Sequence, residues 1–173
     1  MALVVSALKA AMAAATAGKT DAASANTALG NAIASYIVNN CVVTLNWVGQ
    51  NPSSPYEMDP DNGPQDGFIV SCTITLTPSG LTDQEEALAD LAGQIKTGVA
   101  GAVYSMPVGW TCNTSAFSDI GDLTIDIDAD TSDEAFTALA QNIVDWLTGY
   151  VPSAVCSGTH GIYVGTGTPT GVS

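Results

Sequence analysis

Arginine is absent from this chain, and three lysines face seventeen aspartates and glutamates, for a formal net charge of −14. Nucleic-acid binding draws on Lys and Arg to neutralise phosphates, and anionic headgroups repel the same acidic surface. Neither a nucleic-acid nor a membrane partner is therefore expected. Histidine occurs once, at His160, in a Gly-rich tail beside Ser157 and Thr159. No G-x-S-x-G elbow accompanies it, so nucleophilic catalysis has no signature. The four cysteines, Cys41, Cys72, Cys112 and Cys156, contain no C-x-x-C pair, which removes the usual zinc and redox motifs. Small buried apolar residues is one reading of them. One or two disulfides is the other, with three pairings open if all four react. No P-loop or dinucleotide fingerprint is present. No cofactor is expected, and the chain is expected not to be an enzyme.

Long apolar runs are missing too. None reaches the about 18 residues that a transmembrane helix needs. The N-terminal Met1–Ala17 stretch lacks a basic flank, and Lys9 interrupts its apolar centre. It reads as a small-residue helix, not as a signal peptide. Aromatics are only 6 % of the chain, and Trp47, Trp110 and Trp146 are expected in a core or an interface.

What is present is order. Hydrophobic residues make up 46 % of the 173 residues, and they are patterned. The acidity therefore marks a solvated surface, and disorder is not implied. The length suits one domain, or one domain with arms.

The stretch from Gly121 to Tyr150 organises the rest. Leu123, Ile125 and Ile127 alternate with Thr124, Asp126 and Asp128, the period of a half-buried strand. Thr131 and Glu134 then form a T-x-x-E capping box. Phe136, Leu139, Ile143 and Leu147 make one helical stripe. A second strand is expected over Phe68–Thr77, with Phe68, Val70, Cys72, Ile74 and Leu76 on one face. Pro78-Ser79-Gly80 turns the chain, and a second box, Thr82 and Glu85, starts a helix striped by Leu88, Leu91, Ile95 and Val99.

Upstream, helices are expected over residues 2–17 and about 21–39. Leu3, Val4, Leu8, Ala11 and Met12 line the first, and Leu29, Ile33, Tyr36 and Ile37 the second. Asn39-Asn40 is expected to close the second through a left-handed residue. Such Ala-rich faces bury little area, so the first helix should rest on the core or on another subunit. Val42–Val48 is a strand with Val43, Leu45 and Trp47 on one face. Residues 49–67, with four prolines and three glycines, form a long loop of the kind that is functional or mobile. Short strands are expected at Val103-Tyr104, Val108–Thr111 and, on a sheet edge, Ile162–Val164. The rest of the tail reads as an extended arm. This divides the chain into Ala-rich helices (1–40), a core (41–150) and an arm (151–173).

The helices share a frame. Ala28-Leu29-Gly30-Asn31-Ala32-Ile33, Leu91-Ala92-Gly93-Gln94-Ile95 and Ala138-Leu139-Ala140-Gln141-Asn142-Ile143 align. Two readings stay open: chance similarity of Ala-rich amphipathic helices, or duplication of a strand–helix unit. The second gives an α+β domain with helices on one face of a mostly antiparallel sheet.

The densest charge is Asp119, Asp122, Asp126, Asp128, Asp130, Asp133 and Glu134. Asp126-x-Asp128-x-Asp130 begins like a calcium loop. Thr131 stands where an EF-hand needs Gly, and Thr137 where it needs Glu. These three residues are thus weak calcium candidates, and a solvated strand face with an acidic helix start explains them without metal. Asp59, Asp61, Asn62 and Asp66 make a weaker oxygen cluster, which loop polarity explains. Asn113-Thr114-Ser115 is a formal glycosylation sequon.

The Ala-rich first helix, the segment Asn31-Ala32-Ile33-Ala34-Ser35-Tyr36-Ile37-Val38-Asn39-Asn40-Cys41-Val42-Val43 and the Gly-Thr-Gly-Thr-Pro-Thr-Gly tail together resemble small virion structural proteins of tailed bacteriophages. The resemblance implies a non-enzymatic virion component that forms homo-oligomers and docks on other virion structural proteins. Capsid decoration, neck and tail or baseplate positions all fit it. A long loop and a Gly/Thr-rich arm also cost ordering entropy that neighbouring subunits would offset. The alternative is a carbohydrate- or calcium-binding adhesin-like surface module.

Overall fold

A computed structural model describes residues 3–173; Ala2, expected to open the first helix, lies outside them. Helix α1 spans Val5–Thr16 and α2 spans Ala22–Asn40, started by the Asp21 carboxylate, which accepts from the Ser24 amide at 2.8 Å. Leu8 and Met12 are fully buried and Leu3 nearly so, while Val4 is 48 % exposed, off the expected stripe. Helix α1 rests on α2 and on the last helix of the chain, so the core covers it. The Tyr36 hydroxyl clamps its start, accepting from the Val4 amide at 2.5 Å and donating to the Val4 carbonyl at 2.9 Å. The end of α2 departs from expectation. No described non-glycine residue has positive φ. Asn39 and Asn40 instead donate their side-chain amides to the carbonyls of Ser35 and Tyr36, at 2.8 and 2.9 Å.

Strand β1, Val42–Gln50, follows at once with Val43, Leu45 and Trp47 fully buried, as the alternation requires. It pairs antiparallel with β2, Gly63–Ser71. The expected loop therefore shrinks to residues 51–62, and a bridge between Gln50 and Met58 narrows it further. The expected strand Phe68–Thr77 is split. Ile69 is buried in β2 while Phe68 and Val70 are exposed; beyond Ser71, Ile74 and Leu76 are buried. The inward parity changes because the register slips between Ile69 and Ser71, and a one-residue slip turns every side chain to the opposite face.

Residues 72–77 and 121–127 are extended but belong to no strand ladder. The strand expected over Leu123–Ile127 keeps its alternation, with Leu123 and Ile125 buried, without joining the sheet. Each segment leads into a helix: α3, Gln84–Ala100, and α4, Ser132–Thr148. Helix α4 has the full Thr131/Glu134 capping box. Helix α3 starts one residue later than expected: Asp83, not Thr82, is the cap, accepting from the Glu86 amide at 3.0 Å.

The short strands are β3 (Val103–Ser105), β4 (Thr111–Cys112) and β5 (Ser115–Ala116). The largest correction concerns the tail. Residues expected as an extended arm form β6, Cys156–His160, and β7, Tyr163–Val172, and β7 lies between β6 and β1. Its Gly and Thr content hides a period of two. Thr166, Thr168 and Thr170 face out, while Gly167 and Pro169 face in and are buried. Gly167 sits against the Met106 sulfur, which a Cβ would have to displace. Pro169, which cannot donate to a ladder, falls opposite Leu45 beside a register shift where Thr170 of β7 is left unpaired.

The sheet order is β4-β6-β7-β1-β2-β3-β5, with every pair antiparallel. The fold is α+β, as the pattern implied. Edge strands β4 and β5 are separated in the chain only by Asn113-Thr114, so the sheet must curl until its edges nearly meet. The Asn113 amide donates to the Ser157 carbonyl at 2.9 Å, and the Ser115 hydroxyl to the Val155 carbonyl at 2.7 Å. One continuous apolar cluster joins the curl to the helices.

Candidate functional site

The loop 51–62 folds back on the end of β1. Asn62 imitates a strand partner: its side chain accepts from the Gly49 amide at 2.6 Å and donates to the Gly49 carbonyl at 3.2 Å. The Asp59 amide donates to the same carbonyl at 3.0 Å. These bonds swing the Asp59 carboxylate inward. It is the one buried charged or polar side chain among the described residues. Burying a carboxylate is costly unless its oxygens are paired. Here the Trp47 indole donates to Oδ2 at 2.9 Å, the Asp61 amide donates to Oδ1 at 2.9 Å, and His160 Nδ1 lies 3.0 Å from Oδ2.

His160 arrives from the far end of β6, at the hairpin turn that β7 closes. Its ring stacks on Trp110, with centroids 4.1 Å apart and planes 12° apart, and Trp110 meets Trp47 edge-on at 4.7 Å. Asp61 Oδ2 approaches the same Nδ1 at 3.5 Å. Burial pushes the Asp59 pKa up. The Asp61 amide, the Trp47 indole and His160 together outweigh that, and hold it below the ordinary carboxylate value. The result is an anchored imidazole backed by two carboxylates. The hydrogen bonds of the imidazole among the described residues are those to Asp59.

The other acidic residues do not converge. Asp126, Asp128 and Asp130 are exposed, Asp130 in the bend that leads into α4, and they form no three-ligand group among the described residues. The three-ligand group among the described residues is Asp59, Asp61 and His160. The remaining acids of the 119–134 run have structural partners. Asp122 meets Lys96 at 2.5 Å and Asp133 meets Lys9 at 2.7 Å, while Glu134 completes its capping box. Asp119 accepts from the Tyr150 hydroxyl and from the Ser153 amide.

At this end of the sheet the outer face, opposite the one that carries the histidine, is apolar. By register, Gln50 is flanked on the outer face by Val164 and Met58, with Val48 two residues back on its own strand. Ile162 in the hairpin turn is 61 % exposed, Val108 before Trp110 is 89 % exposed, and Tyr56 at the loop tip is 97 % exposed. Among the described residues these make six of the twelve large exposed apolar side chains, gathered by topology at one end of the sheet. Scattered exposed residues need no explanation, but a gathered set marks an interaction surface.

All four cysteines are free, Cys41 and Cys156 buried and the others half-buried. Burial pushes the Cys41 thiol up to about 12 and the Cys72 thiol up to about 11. This is the plain reading of the cysteines, and in the structure none of them is in a disulfide. Trp110, Trp47 and His160 were each visible in the sequence, but their meeting was not, since Asp59 and His160 lie 101 residues apart. No family model, curated protein or solved structure matches the chain.

Proposed function

We propose that this chain is a non-enzymatic structural protein of a bacteriophage virion, working as a homo-oligomer docked on capsid, neck or tail proteins. The phage setting rests on the resemblance of both chain ends to such proteins. The mode of action rests on one observation, the gathering of Val48, Tyr56, Met58, Val108, Ile162 and Val164 at one end of the sheet. Burying such residues against a neighbour is the main driving force for association. The occupant of this surface is a second copy of the chain. Its loop and hairpin are already held by the Asp59 network, so little ordering entropy is lost on docking.

The test is the mass of the full chain in solution by light scattering across a concentration series. A defined oligomer is expected, and Ile162→Asp with Val164→Asp should return it to single chains that keep the native circular-dichroism spectrum. A wild-type chain that stays monomeric at the highest soluble concentration overturns the homo-oligomer. An oligomer that survives both substitutions overturns this surface as its seat.

A further inference from the structure

Three carboxylate oxygens converge on one imidazole nitrogen in the Asp59–His160 cluster, the two of Asp59 also accepting from the Trp47 indole and the Asp61 amide. Nδ1 of His160 faces Asp59 Oδ2 at 3.0 Å, Asp59 Oδ1 at 3.3 Å and Asp61 Oδ2 at 3.5 Å. One N–H donates well to one of them. A divalent cation in the proton's place can be shared among ligands on all sides. We propose that Asp59, Asp61 and His160 form a binding site for a first-row divalent cation of the zinc type.

The spacing fits. Zinc–nitrogen and zinc–oxygen distances of about 2.0–2.2 Å in a tetrahedron set ligand atoms about 3.4 Å apart. The two His160–carboxylate separations, 3.0 and 3.5 Å, straddle that value. Charge fits as well. Two carboxylates and a neutral imidazole balance a dication, inside a chain whose net charge is −14. The ligands are held from behind: the Trp47 indole fixes Asp59, the Asp61 amide ties the two loop carboxylates together, and the Trp110 ring lies flat on His160. Such supporting contacts orient metal ligands and set affinity. The opposite side is open. The His160 side chain is 29 % and the Asp61 side chain 54 % exposed, which gives a cation entry and leaves room for water ligands. The mixed nitrogen and oxygen set suits zinc, cobalt or manganese better than calcium, which takes six to eight oxygens.

The consequence is a cross-link between loop 51–62 and the β6–β7 hairpin, beneath the apolar rim. This inference stands on the cluster alone and holds whether or not the chain assembles. The experiment is calorimetric titration of chelator-treated full chain with zinc chloride, alongside thermal melting with and without zinc. One zinc per chain is expected, with a rise in Tm, since a ligand that binds only the folded state stabilises it. Asp61→Asn removes one ligand and leaves the Trp47–Asp59–His160 contacts in place. It should weaken zinc binding by about tenfold or more, and His160→Ala should abolish it. If His160→Ala fails to fold, the Asp61→Asn titration decides. No zinc heat and no zinc-dependent Tm shift at about 100 µM metal, far above the range of structural sites, overturns the proposal. So does zinc binding that Asp61→Asn leaves unchanged.

Discussion

Residues 72–101 and 121–149 are two versions of one design. Their caps, Asp83 and Thr131, and their terminal glycines, Gly101 and Gly149, are each 48 residues apart (83 to 131, 101 to 149). At the same offset, Gln94 and Asn142 each bond the backbone of the segment that precedes their helix. Gln94 accepts from the Thr77 amide at 2.7 Å and donates to its carbonyl at 3.2 Å; Asn142 accepts from the Asp126 amide at 3.1 Å. In both units a helix amide stands in for the neighbouring strand that the extended segment lacks. An orphaned backbone group needs some partner, and these side chains supply one. Shared amphipathicity by chance does not require this matching role, so the pairing favours duplication of the unit.

The difference lies at Gly98 and Trp146, again 48 apart. In the first unit a Cβ at Gly98 would stand 2.7 Å from the Thr73 carbonyl oxygen, so the helix lies directly on the extended segment. In the second, the Trp146 indole spans the gap and donates to the Gly121 carbonyl at 3.1 Å. One repeat closes on its segment by removing a side chain, the other by reaching with a large one. The same frame thus tolerates two helix–segment distances.

The comparison is tested most strongly in the core. Ile95 and Ile143 are equivalent and fully buried. Each Ile→Ala change should cost about 2–5 kcal/mol in urea unfolding, and equal costs would support equivalent packing. A next test is Gly98→Ala, which should destabilise by about 1–3 kcal/mol through overpacking. Gly93→Ala, five residues earlier on the same helix with nothing within 4 Å, should be neutral or stabilising. A smaller effect is expected from Gln94→Ala and Asn142→Ala, about 1 kcal/mol each. Hydrogen exchange should speed up at the Thr77 amide in the first variant and at the Asp126 amide in the second.

The smallest effect separates the units by pH. Asp119 ties the entry of the second unit to its exit, and the equivalent position in the first is Ser71. Hydrogen bonds from Ser153 and Tyr150 hold the Asp119 pKa below its ordinary value. Its contribution is therefore complete above the unfolded pKa of about 3.9 and is lost as pH falls through the lower folded value. Unfolding midpoints of wild type and Asp119→Asn should converge over that acid window and differ above it.

Much of this was legible along the chain, because it depends on near neighbours. The helices, the Thr131 box and the inward set Val43, Leu45 and Trp47 follow from local spacing. The Asp83 cap was missed because Thr82/Glu85 offers the same T-x-x-E spelling one residue away. Strand β7 was expected only as an edge strand at Ile162–Val164, and its run on to Val172 inside the sheet was hidden because Gly and Pro mark turns in most settings. Only the Met106 contact explains Gly167, although the alternate threonines carried a period-2 signal. The split of the expected Phe68–Thr77 strand could not be read either, since a register slip depends on the partner strand.

The sequence by itself determined the apolar stripes, the helix starts and the α+β class, since hydrophobic periodicity and capping are properties of a dozen consecutive residues. Tertiary structure alone decided which extended segments entered the sheet and which were served by Gln94 and Asn142. It also brought His160 onto Asp59 and Asp61. Those outcomes turn on which backbone groups and carboxylates meet after the sheet has curled. That meeting is set by contacts between residues far apart in the chain, and no local pattern encodes it.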